Sequence, residues 1–285
     1  MGAWEGSQAA ILAPLAGVAV STPHRSGPIL RPGAQRPKCI KAQMHKGLMR
    51  KEKTGKRKAS DAGFRAASDQ SLLVSFGQQI TLQGHQRVLK LLRLLQAEPV
   101  AAIRNLHPAY CSLLIKFDPL KLDHDQLQTA LLRYLDRLEE APIPEPQQIE
   151  IPVCYGGEFG PDLNDLAAMH GISPAQAIEL HSSSTYIVYF LGFVPGFAYL
   201  GGLPPALASP RLETPRASVP LGSVGIGGNQ TGVYPMATPG GWRLVGRTPM
   251  TMFRPDRPKM NILQIGDHVR FRPISKEQFA DFNLR

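Results

Sequence analysis

Apolar residues recur with helical spacing in the middle of the chain and with strand spacing toward its end. Val88, Leu91, Leu92 and Leu95 fall at i, i+3, i+4 and i+7, the stripe of an amphipathic helix. A second stripe, Leu127, Ala130, Leu131, Tyr134, Leu135 and Leu138, follows Asp123, which has Gln126 three residues on in a capping-box arrangement. Between and around these helices lie strand candidates at Ser71–Phe76, Val100–His107, Ser112–Phe117 and Ile149–Val153, with a short turn expected at Pro108 to Tyr110. The order βαββαβ over residues 64–150 predicts a ferredoxin-like sandwich, with both helices on one face of an antiparallel sheet.

Residues 151–285 read differently. Two short helices are expected, Asp162–His170 and Ser173–Ser182, the second with Ser173 as N-cap and Pro174 in its first turn. Thr185–Leu191 is then an aromatic and β-branched strand. Beyond it helix signals vanish, and short apolar runs alternate with Gly/Pro turns at intervals near ten residues, the mark of an all-β barrel or sandwich. In the last strand Val269 and Phe271 alternate with His268, Arg270 and Arg272. The fold class is α+β.

Charge changes the picture at the N-terminus. The formal net charge is +10, yet residues 1–60 carry 12 Lys and Arg against two Asp and Glu, and the remainder holds 20 of each. The basicity belongs to a tail, so it gives no reason to assign nucleic acid as the partner of the folded part. Residues 1–63 show neither period, are punctuated by Pro and Gly, and read as a disordered basic leader, or as a start placed too early with Met44 or Met49 as the true one. Ala9–Val20 has the apolarity of a signal-peptide core, but Glu5 is the only charge before it and the basic flank is missing. No run reaches the roughly 18 apolar residues of a spanning helix. Three cysteines, Cys39, Cys111 and Cys154, lack metal-ligand spacing and point to a reducing, cytoplasmic setting, with Cys111 and Cys154 as inert buried thiols.

The candidate chemistry lies between Phe190 and Pro249. Gly222, Gly225, Gly227 and Gly228 invite a phosphate-loop reading, but Gln230 stands where the third glycine of Gly-x-Gly-x-x-Gly belongs, and no Gly-Lys-Ser/Thr follows. Turns and bulges between strands account for most of these glycines. They leave unexplained the hydrogen-bonding side chains set among them. Arg216, Asn229, Gln230, Thr231, Tyr234 and Arg247 suit an oxygen-rich ligand such as an amide or carboxylate, and are the expected substrate-binding residues. Phe193, Phe197 and Tyr199 form an aromatic ridge that is either core or a partner-binding anchor, while Trp242 reads as core. From Tyr186 to Arg254 the only acidic residue is Glu213 and there is no His, so no acid–base pair and no catalytic residue can be assigned. The region reads as half of an active site.

These same residues carry a resemblance. The segment from Leu191 to Leu203 (Leu-Gly-Phe-Val-Pro-Gly-Phe-Ala-Tyr-Leu-Gly-Gly-Leu), Thr214-Pro-Arg, the run from Gly222 to Pro235, Thr238-Pro-Gly-Gly-Trp and Gly246-Arg-Thr-Pro resemble the allophanate hydrolase subunit 1 family, also called the KipI family or the family of 5-oxoprolinase B subunits. Ala198 stands where a proline is common. The resemblance extends more weakly from about Phe64 to Ile274 and leaves the basic tail uncovered. It implies a ferredoxin-like domain followed by a cyclophilin-like β-barrel of the carboxyltransferase type. It also implies a companion barrel subunit of the KipA or subunit 2 type and a third subunit, which together open 5-oxo-L-proline to glutamate with ATP. ATP is then expected with the assembled complex, and neither metal nor biotin on this chain. The alternatives that the family carries are inhibition of a histidine kinase and a component acting on urea-type substrates.

Overall fold

The computed structural model describes residues 62–282 apart from Pro144, so the expected leader over residues 1–63 and Cys39 lie, but for Ala62 and Gly63, outside the described residues. Its first layer is a four-stranded antiparallel sheet in the order β1-β2-β4-β3. The strands are β1 (Gly63–Ser68), β2 (Ser71–Ser75), β3 (Ile103–Ala109) and β4 (Ser112–Phe117). Helix α1 (Leu82–Ala97) follows β2 and helix α2 (His124–Leu135) follows β4. Thr81 caps α1 by accepting from the Gly84 N–H, and Asp123 and Gln126 form the expected capping box on α2. Alternation in the strands sends Leu72, Val74, Leu113, Ile115 and Phe117 to one face, where they meet Val88, Leu91, Leu92 and Leu95 of α1 and Leu127, Leu131 and Leu135 of α2.

Two details depart from the expected βαββαβ sandwich. The strand over Ile149–Val153 does not join this sheet; it runs in the barrel, where Ile151 and Val153 are buried with Val269 and Phe271. The fourth strand is instead β1, an edge strand in which only Phe64 is even half-buried, so its sequence carries no alternation to read. The β3–β4 turn is also tighter than expected. Strand β3 continues through Pro108 to Ala109, which pairs with Ser112, and the turn is Tyr110-Cys111. Proline is tolerated there because β3 lies at the sheet edge.

The barrel is closed by seven strands in the order β10-β7-β6-β13-β5-β12-β9. They are β5 (Gln148–Tyr155), β6 (Tyr186–Leu191), β7 (Ala198–Gly201), β9 (Ser223–Gly227), β10 (Gln230–Val233), β12 (Arg243–Arg247) and β13 (His268–Pro273), while β8 (Arg216–Val219) and β11 (Thr238–Gly240) pair separately. Strand β13 runs parallel to β5, from His268 opposite Gln148 to Pro273 opposite Val153. Helices α3 (Leu163–Met169), α4 (Pro174–Ser183) and α5 (Lys276–Phe282) complete the chain, with Ser173 and Gln176 forming a capping box on α4. No helix among the described residues is long and apolar enough to cross a membrane.

Candidate functional site

The glycine run folds into the β9–β10 hairpin, turned at Gly228-Asn229, with Gly228 at φ +63°. Gly228 also exchanges both backbone hydrogen bonds with Ser209, at 2.7 and 3.0 Å. Gly227 has a separate reason: a Cβ there would stand 2.5 Å from the Trp242 indole nitrogen. These glycines seat an indole and turn a hairpin between paired strands. They do not form a loop opening a helix, and the run does not fit a triphosphate cradle.

At the start of β10, Gln230 meets the first layer. Tyr110, at the tip of the β3–β4 hairpin, donates its hydroxyl to Gln230 Oε1 at 2.9 Å. The amide's other end, Nε2, is buried without a partner. Tyr110 packs edge-on against Phe190 at 4.8 Å between ring centres, and Phe190 stacks flat on Tyr199 at 4.3 Å. Tyr199 in turn touches Phe197 and Trp242, at 4.9 and 5.8 Å. Burial raises the pKa of Tyr110, Tyr199 and Tyr234, and the charge of Arg211 partly opposes the rise in each. These hydroxyls stay protonated at neutral pH and remain donors. Asn229 is exposed at the turn.

Thr231 and Tyr234 point elsewhere. Thr231 is fully buried and donates its hydroxyl to the Gly225 carbonyl at 3.0 Å, which leaves it only to accept from His181 Nε2 at 2.9 Å. His181 Nδ1 then accepts from the Tyr155 hydroxyl at 2.7 Å. One proton arrangement satisfies every member, with His181 neutral, and burial pushes its pKa down to about 3. Tyr234 is 2% exposed and packs with Phe197, Val219, Trp242 and Leu244.

The two arginines sit in different surroundings. Arg216 Nη2 donates to Asp162 Oδ1 at 2.7 Å, and Asp162 Oδ2 accepts from the Leu244 N–H at 2.7 Å, so the guanidinium charge is already matched while Nη1 is buried without a partner. Arg247 lies with its Cζ 5.7 Å from the centre of the Phe159 ring. Its Nε is buried and unpartnered, as is Oγ of Ser223, its cross-strand neighbour. The aromatic ridge divides: Phe197 is core, Tyr199 half-buried, and Phe193 58% exposed at φ +72°, a conformation costly for a bulky residue. Of the two thiols expected to be buried, Cys154 is, whereas Cys111 is only half-buried because it sits in the β3–β4 turn, its thiol donating to the Gly77 carbonyl at 3.3 Å.

Sequence reasoning missed Tyr110, Asp162 and Arg211. Tyr110 lies 120 positions from Gln230 and Asp162 lies 54 from Arg216, separations across which no local pattern speaks.

The comparisons with known proteins agree with this architecture. A family model described as "Carboxyltransferase domain, subdomain C and D" matches residues 62–263. The chain is 38% identical over 222 residues to the B subunit of 5-oxoprolinase from Bacillus subtilis, covering 74% of this chain and 92% of that one. It is 40% identical to the Haemophilus influenzae protein of the same name, over 72% of this chain and 94% of its relative. Among solved structures, TTHA0988 superposes with a TM-score of 0.63 at 34% identity, covering 72% of this chain and only 40% of that longer chain. The Kluyveromyces lactis urea carboxylase shares the fold, with a TM-score of 0.63 at 22% identity over 77% of this chain and 22% of its own length. The chain therefore belongs to the family of carboxyltransferase subdomains C and D, with relatives named as B subunits of 5-oxoprolinase.

Proposed function

We propose that this chain is the B-type subunit of a cytoplasmic, ATP-dependent 5-oxoprolinase, inactive alone and completed by a companion barrel subunit of the subunit 2 type and a third subunit. The observation that carries the reading is likeness to 5-oxoprolinase B subunits over more than nine-tenths of two of them. The barrel is read as cyclophilin-like. Ring opening of a lactam breaks its C–N bond after water attacks the carbonyl carbon, and ATP in the complex would activate that carbon by phosphorylating the amide oxygen. This chain's share is orientation: donors held in place before the reaction fix the substrate's oxygens, the candidates being Gln230 with Asn229 beside it at one end of β9, opposite Gly227, and Arg247 at the other end, opposite Ser223, with Arg216 as the remaining cation. The exposed Phe193 is the contact offered to the companion subunit.

The test is 5-oxoproline-dependent release of glutamate, with ATP, from the chain alone and then from the chain mixed with its two companions. Activity in the mixture alone is the expected result. Inactivity in a mixture shown to assemble overturns the reading and moves it to urea-type substrates or to regulation of a kinase.

A further inference from the structure

We propose that the first layer is part of the ligand site: Tyr110 is a positioning residue that fixes the Gln230 amide with its N–H donors facing a carboxylate subsite, and Arg211 is the cation of that subsite. The substrate class is a small oxo-acid, so the inference rests on the functional reading above.

An amide side chain has two ends, and which end faces a ligand decides what it binds. Here the Tyr110 hydroxyl occupies Gln230 Oε1 at 2.9 Å, leaving Nε2 as the free end. A buried amide nitrogen without an acceptor is costly to keep, and a hydrogen-bond acceptor such as a carboxylate oxygen relieves that cost. Tyr110 is itself held from three sides. Its ring lies against Phe190 and Tyr189, at 4.8 and 5.8 Å. Its carbonyl accepts from His85 Nδ1 at 3.2 Å, and Phe76 N–H binds the carbonyl of the next residue, Cys111, at 2.8 Å. The hydroxyl is thus presented by a braced turn.

Arg211 is placed with comparable care. Its segment is pinned on one side by Ser209, bonded to Gly228, and on the other by Leu212, whose N–H binds the Gly241 carbonyl at 2.7 Å. Arg243 Nε holds the Pro210 carbonyl between them at 3.0 Å. Arg211 is exposed, and its backbone is tied to the hairpin turn through the Ser209–Gly228 pair two residues before it; its charge also lowers the pKa values of Tyr110, Tyr199 and Tyr234, against the rise that burial causes. In the ion pairs among the described residues Arg211 has no carboxylate partner. A cation beside neutral donors selects an anion over a neutral carbonyl.

The test is a titration of the full chain, alone and in the assembled complex, followed through the Gln230 side-chain amide signals by NMR, those signals being assigned by their loss in Gln230→Ala. The probes are 5-oxo-L-proline, glutarate and 2-pyrrolidinone, the last lacking the carboxylate. The amide is expected to shift with the first two and far less with the third. Tyr110→Phe should weaken 5-oxo-L-proline binding about threefold to tenfold in a variant that still folds, with a modest loss of thermal stability because Gln230 Oε1 loses its donor. Arg211→Gln should cut the preference for 5-oxo-L-proline over 2-pyrrolidinone about tenfold, a change that a purely structural role does not produce. An unmoved Gln230 amide in both chain and complex, or wild-type affinities in both variants, overturns the subsite. Carboxylate binding with this signature in a complex that releases no glutamate upholds the subsite and overturns only the ring-opening reading.

Discussion

His181 and Thr231 are joined at 2.9 Å inside the barrel, and the direction of every proton in their chain is fixed by its end, the Gly225 carbonyl. This makes Thr231 a structural residue in the free chain. Thr231→Val keeps the shape but leaves the His181 N–H with no acceptor, at a cost of about 1–3 kcal/mol. Urea denaturation of the variant should show that loss, and an unchanged midpoint would contradict the network.

The same histidine sets a pH dependence. His181 is held neutral with its pKa lowered to about 3, and His85 with its pKa lowered to about 4, each chiefly by burial. In the unfolded chain both titrate near 6.5. Their contribution is complete above that value and is lost as pH falls toward 4, because the unfolded state then binds more protons. Each contributes about 1.4 kcal/mol per pH unit within the window. Chemical denaturation at pH 7, 6 and 5 should show the decline, and His85→Gln should flatten its slope.

Asp162 answers both the Arg216 guanidinium and the Leu244 backbone. Its removal in Asp162→Ala strands a mostly buried cation and should cost about 3 kcal/mol. Thermal melts of Asp162→Ala and Arg216→Gln therefore have to accompany any activity measured on this pair. A loss of activity in Arg216→Gln at full thermal stability would assign Arg216 to the substrate.

Gln230→Ala and Arg247→Ala should each lower activity of the reconstituted complex by about tenfold or more without dispersing it. If both leave turnover and assembly intact, the substrate-binding reading of these residues falls.

Phe193 pays a backbone cost for its exposed position. Phe193→Gly relieves the left-handed strain, so the melting temperature should hold or rise. Affinity for the companion subunit should nonetheless fall about tenfold or more, as for an aromatic anchor. Unaltered association would remove Phe193 from the interface.

Periodicity and caps made much of the fold legible. The stripes of α1 and α2, the Asp123 and Ser173 caps and the alternation of β13 all stand where the sequence put them. What it could not show was partnership. Ile149–Val153 is equally strand-like in either sheet, and only its burial against Val269 and Phe271 decides for the barrel. β1 was invisible because an edge strand with one half-buried residue has no alternating face. At the candidate site the residue types of Gln230 and the glycines were readable, but not that Trp242 fills the space at Gly227. Nor could spacing show that Tyr110 arrives from the other layer.

The parallel pairing of β13 with β5 also governs the order in which the molecule can be made. Residues 148–155 emerge from the ribosome more than a hundred positions before 268–273, and the barrel cannot close until both are present. Until then β5 and β6 wait with open edges, an arrangement that slows folding and exposes sticky backbone. The first layer, whose strands pair with near neighbours, can meanwhile complete itself. Tyr110 is made 120 positions before Gln230, so the first layer can present its hydroxyl before the residue that accepts from it has been made.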